Sequence, residues 1–185
     1  MNEERESPDD SAIDQALIAR WREGDERAAS QLVGRHANQL ARYLQSLGAR
    51  EAVDELVQDT FVRAFASLDS FRGASTLRTW IFTIARRLLF DSRRAFRRRR
   101  DTEPVHEGDA VTVYNALDGL IAGESGRRVL DAVERLSPTQ REVFVLRAGE
   151  GRSYREIAEI VSTTEGAARV HYHNALRTIK ENLYV

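Results

Sequence analysis

Apolar residues recur along this chain at steps of three and four, the spacing that returns a side chain to the same face of an α-helix. No segment alternates apolar and polar residues as a half-buried strand does, so the pattern predicts an all-α protein. A first helix is predicted to begin at Ser11, with Asp14 as its capping partner, and a second to end at Gly48. Two more follow, one from about Glu51 and one capped by Ser75. These four helices can form a small bundle.

The helical pattern weakens in residues 101–125, which contain Pro104, three glycines and several acidic residues. We interpret this segment as a linker, with a short apolar helix inside it near Val113–Ile121. The acidic residues at the amino terminus predict a tail without fixed structure. The expected organisation is two small helical domains joined by a linker: a tail at 1–10, a four-helix bundle at 11–100, a linker at 101–125 and a second domain at 126–185.

The second domain carries two strong helix-start signals. Ser137, followed by proline and then Gln140, predicts one capping box, and Ser153 with Glu156 predicts another. The second box opens a short helix that a turn of about three residues connects to a last helix at Glu165–Leu183. This is helix-turn-helix spacing, in which the second helix enters the major groove of DNA. A plain helical hairpin whose polar face meets only water is the alternative.

On the last helix, several polar or amphipathic groups could reach DNA: Arg169, His171, Tyr172, His173 and Arg177. At about 100° per residue, Arg169, Tyr172 and His173 share one side. Val170, Leu176 and Ile179 are expected to face the core.

A net charge of −1 conceals an uneven distribution of charge. Residues 61–100 carry 11 arginines and 2 acidic residues, and eight of those arginines fall within 86–100. Such a basic block is typical of a surface that binds a polyanion, although a solvated helix face gives the same pattern. Aromatic residues alternate with the arginines at Phe71, Trp80, Phe82, Phe90 and Phe96.

Basic grooves with aromatic platforms hold single-stranded nucleic acid, because unpaired bases stack on the rings. Trp80 is expected to belong to the core, whereas Phe71 and Phe82 are candidates for stacking. The loop Asp69–Gly73 lies beside the basic helix and suits a pocket for an unstacked base.

Nothing in the sequence points to catalysis. It contains no phosphate-cradling glycine loop and no nucleophile elbow, so we expect a binding protein, not an enzyme, and no cofactor. The chain has no cysteine, and His171 and His173 point about 200° apart on a helix, so no metal site is expected. The acidic amino terminus does not resemble a signal peptide, and no apolar run reaches membrane-spanning length. We expect a cytoplasmic protein without membrane insertion.

Two sets of motifs resemble a known family. Asp54-Glu-Leu-Val-Gln-Asp-Thr-Phe, Phe71-Arg-Gly, Leu77-Arg-Thr-Trp and Ile84-Ala-Arg-Arg resemble region 2 of extracytoplasmic-function (group IV) sigma factors of the sigma-70 family. Leu136-Ser-Pro-Thr-Gln-Arg-Glu and Ser153-Tyr-Arg-Glu-Ile-Ala resemble region 4. Together they cover about 150 of the 185 residues in the family's order.

The resemblance implies a protein that binds core RNA polymerase, directs promoter-specific initiation and aids promoter melting. Contact with the β′ clamp helices would involve Asp54, Gln58, Asp59 and Arg63. The −10 element would be read by Ser70, Phe71, Arg72, Arg78, Trp80, Arg86, Arg93 and Arg94. The −35 element would be read by Thr164, Arg169, His171, Tyr172, His173 and Arg177. An apolar surface around Val143–Leu146 and the last helix would meet the β flap, and an anti-sigma factor is an implied partner.

The chain departs from the family pattern in the last helix and the turn before it. Gly166-Ala-Ala-Arg-Val-His171 stands where the family often has Gly-Thr-Val-Lys-Ser-Arg, and Ser162 stands where a glycine often makes the turn. Hydrogen-bonding side chains are thereby lost at Ala167 and Val170, so the family's −35 preference does not transfer.

Three questions stay open at this point. A helix-turn-helix regulator that acts without polymerase would explain 126–185, but it would leave the basic, aromatic-rich helix unexplained. An adaptor that mimics a sigma factor would have no need of the arginines. The two domains could be independent of each other, or they could be held in a compact form that hides the DNA-binding surface.

Overall fold

The structure, a computed structural model, describes residues 8–49, 52–99, 129 and 131–183, and within them it contains helices and no strand. The first unit consists of α1 (Pro8–Arg22), α2 (Glu26–Ser46), α3 (Val53–Ala66), a 3₁₀ turn (Leu68–Ser70) and α4 (Leu77–Arg99). The second unit consists of a helical segment at 131–134, α5 (Pro138–Phe144), a π-helical turn (Val145–Gly149), α6 (Tyr154–Val161) and α7 (Glu165–Leu183). The predicted linker and its short helix lie outside the described residues.

Two predicted helix starts need correction. α1 begins at Pro8, so Ser11 lies inside the helix and does not cap it. Asp14 is not a capping partner but a buried carboxylate, which accepts hydrogen bonds from Arg35 Nε at 2.8 Å and pairs with His36 Nε2 at 2.8 Å. The start of α4 is capped by Thr76, whose Oγ1 accepts from the Thr79 amide at 3.2 Å, one residue beyond the predicted Ser75.

The two capping boxes of the second unit are confirmed. Ser137 Oγ accepts from the Gln140 amide, and the Gln140 side chain accepts from the Ser137 amide. The same reciprocal pair joins Ser153 and Glu156 at the start of α6. Each box satisfies two amides that the first turn of a helix would otherwise leave unpaired.

The two units are packed directly on each other, which the sequence had left open. One apolar core runs from the bundle into the second unit, where Val143, Leu146, Ile157 and Ile160 are all almost fully buried. α4 packs along α6, and α2 packs against the π-helical turn. We call this packing of the second unit on α2 and α4 the closed arrangement.

A smaller core lies within the second unit, between the helical segment at 131–134, α5 and α7. Its buried members are Ala132, Val133, Leu136, Phe144, Val145, Ala175 and Ile179. The predicted apolar surface at Val143–Leu146 is therefore not a surface, because every residue in it is buried by one of the two cores.

Candidate nucleic-acid interface

The turn between α6 and α7 has a strained backbone. Ser162 adopts the left-handed conformation, with φ +59° and ψ +53°, which lets the Thr163 amide bond the Ala158 carbonyl at 2.9 Å. Thr164 Oγ1 then accepts from the Ala167 amide at 3.1 Å and caps α7. Thr164, predicted to read DNA, therefore also starts the helix that would carry the other reading residues.

One face of α7 is open to solvent and includes Arg169, Val170, His173, Leu176 and Arg177. The prediction that Val170 and Leu176 face the core was wrong, because they are 57% and 41% exposed. Ile179 faces the core as predicted, together with Ala168 and Ala175, and these three positions are spaced seven and four residues apart. Val170 is two residues from Ala168 and so points about 200° away from it.

Arg169 and Tyr172 lie on one side of α7, as predicted, and both contact Tyr154, but only Arg169 is exposed. The Arg169 guanidinium is exposed, bonds Glu165 at 2.9 Å and lies 4.7 Å from the centre of the Tyr154 ring. Tyr172 is half-buried between Phe144 and Tyr154, with ring centres 6.1 and 6.0 Å away. Burial raises the pKa of Tyr172. Tyr172 therefore contributes mainly to packing.

Three predicted residues on α7 remain to be placed. His173 and Arg177 are exposed, whereas His171 is half-buried. Arg177 lies within 4.0 Å of Glu181 in the next turn. The open residues therefore extend from the start of α7 to its fourth turn.

In the first unit, a cleft of about 650 Å³ lies at the predicted loop Asp69–Gly73, but α1, not the basic helix α4, lies opposite the loop. Its loop side includes the predicted Phe71 and Arg72, and Ser70 is exposed just before them. Its other wall is α1, which contributes Gln15, Ile18 and Arg22. Arg22 fixes the loop, because its guanidinium donates to the Leu68 carbonyl at 3.1 Å.

The aromatic residues of this region are more buried than predicted, which leaves their rings less accessible for stacking with bases. Phe82 is fully buried and Phe71 is 8% exposed, so neither is an open stacking platform. Phe82 packs against Tyr43 with ring centres 4.9 Å apart, and Phe71 packs against the half-buried Trp80 at 5.1 Å. Both rings belong to the core, and Phe71 also lines the cleft.

The arginines of α4 fall into two groups. Arg78, Arg86 and Arg93 are half-buried and bind protein groups: Arg78 donates to Gln39 at 3.3 Å, Arg86 binds Glu142, and Arg93 donates to the Leu47 carbonyl. Arg94 is exposed beside Asp91.

Three further arginines, which were not predicted as DNA contacts, are exposed on α4: Arg87, Arg97 and Arg98. Arg87, Arg94 and Arg98 follow i, i+7 and i+11, a helical spacing that would have indicated a shared stripe.

Glu142 is the centre of the contact between the units. Its buried carboxylate accepts from Arg86 Nε at 2.7 Å, from the second Arg86 nitrogen at 3.2 Å and from the Tyr43 hydroxyl at 2.7 Å. Burial first, and then the Glu142 charge, raise the pKa of Tyr43 well above its usual value. Arg86, a predicted −10 contact, is thus bound to the second unit.

Arg152 forms a second polar contact across the same boundary. Its guanidinium lies 5.1 Å from the centre of the Phe82 ring and 3.9 Å from both Glu150 and Glu156. Glu156 accepts from the Thr79 hydroxyl of α4 at 3.1 Å. Burial raises the pKa of Glu150, which Arg42 and Arg152 only partly offset.

The four residues predicted to bind polymerase, Asp54, Gln58, Asp59 and Arg63, are all exposed on α3. Val62 lies among them and is 60% exposed. Val62 was not predicted as a contact residue, although the helical spacing places it among these exposed polar positions.

No group of three or more His, Asp or Glu side chains that could hold a metal ion occurs among the described residues. In the same part of the chain, no helix is long and apolar enough to cross a membrane.

Comparisons with known proteins agree with the motifs. The family model described as Sigma-70 region 2 matches residues 32–100, and the one described as Sigma-70, region 4 matches residues 126–179. The chain is 31% identical over 179 residues to the ECF RNA polymerase sigma-E factor of Haemophilus influenzae, covering 92% of this chain and 95% of that protein. It is 30% identical over 175 residues to the ECF RNA polymerase sigma-E factor of Escherichia coli K12, and the match covers 90% of this chain and 92% of that protein.

Two solved structures share the fold. The sigma factor RpoE of Bartonella quintana, in complex with the anti-sigma factor NepR, has a TM-score of 0.65 and 26% identity and covers 84% of this chain and 96% of its own. CnrH, in complex with the cytosolic domain of CnrY, has a TM-score of 0.65 and 31% identity and covers 92% and 97%.

Proposed function

Because the chain belongs to the extracytoplasmic-function group of the sigma-70 family, it directs RNA polymerase to promoters, and we propose that its two units divide the promoter between them. The bundle would bind the −10 element, and the helix-turn-helix would bind the −35 element as duplex. The observation that carries this assignment is the joint presence of a cleft lined in part by Arg22 and Arg72 in one unit and an open helix-turn-helix face in the other.

The cleft between α1 and the loop after α3 would receive an unstacked base of the −10 element. Arg22 and Arg72 supply positive charge at its rim, which the exposed Asp69 partly offsets, and Gln15 supplies an amide that can hydrogen-bond a base edge. Melting would draw on the binding energy of bases held in protein pockets, so it would need no ATP. The exposed arginines of α4, Arg87, Arg94 and Arg98, would contact the phosphate backbone.

The exposed face of α3 would dock on the polymerase β′ clamp helices. Asp54, Gln58, Asp59 and Arg63 give it a polar rim, and Val62 adds an apolar contact among them. An apolar centre inside a polar rim is the usual construction of a protein interface.

Promoter binding would require the closed arrangement to open. The centres of the −10 and −35 elements are about 25 base pairs apart, or about 85 Å along B-form DNA at about 3.4 Å per base pair. In the closed arrangement α4 and α6 are in direct contact, so the two units cannot reach both elements at once. Opening would also release Arg86 from Glu142, and it would expose Val143 and Leu146 for contact with the β flap.

An anti-sigma factor is the partner that would act against opening. Of the two similar structures, the sigma factor RpoE was solved with the anti-sigma factor NepR, and CnrH was solved with the cytosolic domain of CnrY. A partner of this kind would bind both units of this chain and hold them together.

The decisive experiment adds the purified protein to bacterial core RNA polymerase and a pool of genomic promoter fragments, then sequences the run-off transcripts. Specific starts that disappear without the protein are the expected result. The matched variant Asp59→Arg, at an exposed position of α3, should lose these starts and still bind −35 duplex. Duplex binding without any polymerase-dependent start would instead favour the polymerase-independent regulator.

A further inference from the structure

The open face of α7 contains a narrower stripe of four residues. Gly166, Val170, His173 and Arg177 follow i, i+4, i+7 and i+11, so they lie one above another along one side of the helix, and all four are exposed. We call this the recognition stripe. It begins within the first turn of α7, the end of a recognition helix that meets base edges.

Val170 is the unusual member of the recognition stripe. A single exposed valine is ordinary on a protein surface. This one, however, lies one turn from the start of a groove-reading helix, between a glycine and a histidine. At Gly166, the space around an added Cβ is open, with no protein atom within 4 Å. The recognition stripe therefore has no side chain at its first position, and DNA can approach closely enough for Val170 to touch a base.

The chemistry of Val170 restricts what it can recognise. Valine has no hydrogen-bond donor or acceptor, so it can distinguish bases only by apolar contact. In the major groove, the C5-methyl group of thymine is the one apolar feature that a base pair presents. The neighbouring Arg169 guanidinium is held by Glu165 and Tyr154, at 2.9 Å and 4.7 Å.

We propose that Val170 is a specificity-determining residue, which selects a thymine in the −35 element by packing its side chain against the thymine methyl group. This inference rests on the proposed function of α7 as the −35 reader. His173 and Arg177 continue the recognition stripe about 4.5 and 10.5 Å further along the helix, at about 1.5 Å per residue. They would contact the adjoining bases and the backbone.

The test uses the assembled holoenzyme and duplexes selected from a randomised −35 segment. Each thymine of the selected sequence is replaced in turn by deoxyuridine, which removes only the methyl group. One position should lose about fourfold in affinity, the value expected for removing one buried carbon group. In Val170→Ser, that thymine and its uracil replacement should bind equally well. In Leu176→Ser, an exposed apolar residue at the edge of the same face, the fourfold difference should persist.

The outcomes separate this inference from the proposed function. A selected motif with no thymine–uracil difference, or a difference that survives in Val170→Ser, would overturn the role of Val170 alone. A selection that returns no upstream motif would contradict the −35 assignment of α7 and this inference with it. As a converse check, 5-methylcytosine placed at the Val170-contacted position should bind more tightly than cytosine, and Val170→Ser should abolish that gain.

Discussion

Glu142 of α5 binds Arg86 of α4 through two hydrogen bonds, at 2.7 and 3.2 Å, although 55 residues separate them in the sequence. The Glu142 side chain is 4% exposed and that of Arg86 is 22% exposed. Tyr43 of α2 donates to the same carboxylate, so one buried acid joins both units. The ion pair holds a candidate DNA-binding arginine against the helix-turn-helix unit. Under the proposed function, the pair would have to break before the chain binds a promoter.

Replacing Glu142 should weaken the closed arrangement. Glu142→Gln keeps the shape of the side chain but leaves the Arg86 charge without its partner, which we expect to cost about 2 kcal/mol of unfolding free energy. Urea unfolding of the free protein measures this cost. Glu159→Gln, at an exposed position of α6, is the matched control and should change the free energy by less than about 0.5 kcal/mol. Equal unfolding midpoints for the two variants would contradict a structural role for the ion pair.

The local features of the fold could be predicted from the sequence. Both capping boxes and the helix-turn-helix depend on residues within a few positions of each other, as in Ser153 and Glu156. The predictions at Ser11 and Ser75 were wrong because several neighbouring residues can each cap a helix, and the sequence does not show which of them does. In the structure, Thr76 caps α4, because its Oγ1 accepts a hydrogen bond from the Thr79 amide.

The closed arrangement could not be predicted, because it depends on contacts between distant residues. In the sequence, nothing distinguishes Glu142 from the other acidic residues of the chain. Its partners, Arg86 and Tyr43, come close to it only in the folded protein. Phe82 read as a stacking platform because its neighbours are arginines, but the packed second unit buries it beneath Arg152. Val170 was misplaced because an apolar residue was assumed to be core, whereas the small Ala168 and Ala175 fill the core-facing positions.

The left-handed Ser162 should respond to substitution by glycine. A residue with a Cβ costs about 1–2 kcal/mol in this conformation, whereas glycine adopts it freely and loses more chain entropy on folding. Ser162→Gly should therefore raise the unfolding free energy by about 0.5–1 kcal/mol. Ser162→Ala, which keeps the Cβ, is the control and should give no gain. A stability of Ser162→Gly no higher than that of Ser162→Ala would show that the turn is not strained.

Glu156 should make stability depend on pH in the acid range. Burial raises the pKa of Glu156, but hydrogen bonds from Ser153 and the Arg152 charge outweigh it, so the net pKa is lowered from 4.5. Because the pKa of Glu156 is lower in the folded protein, its carboxylate stabilises the fold fully at pH values above its pKa in the unfolded chain, near 4.5. This contribution is lost as the pH falls from there through the lower pKa of the folded protein.

Urea unfolding from pH 7 to 3 tests this contribution of Glu156. The stability difference between the protein and Glu156→Gln should be constant above about pH 5.5 and shrink progressively below 4.5. Glu165→Gln, at an exposed position at the start of α7, controls for general acid effects. A difference that stays constant down to pH 3 would contradict the lowered pKa.

Arg93 and Arg94 should differ in their contributions to DNA binding. Replacing both by alanine should weaken promoter binding and flatten its dependence on salt, by up to about one unit of slope per lost phosphate contact. Because Arg93 bonds the Leu47 carbonyl, Arg93→Ala should mainly lower stability, by about 1 kcal/mol. Arg94→Ala should carry the change in slope with stability nearly unchanged. Binding of holoenzyme to promoter DNA at several salt concentrations measures the slopes, and an unchanged slope in Arg94→Ala would exclude a phosphate contact there.

Opening of the closed arrangement should be visible as a change in distance between the units. The chain has no cysteine, so Ser30→Cys on α2 and Lys180→Cys on α7, both at exposed positions, give two unique sites for a fluorescent donor and acceptor. Energy transfer should be high in the free protein and fall on binding core polymerase and promoter, since the units would then lie on elements about 85 Å apart. Glu142→Gln should lower the transfer in the free protein as well, because the buried ion pair favours the closed state. Equal transfer in the free and promoter-bound protein would contradict opening, and a low value in both would show that the units are already separate in solution.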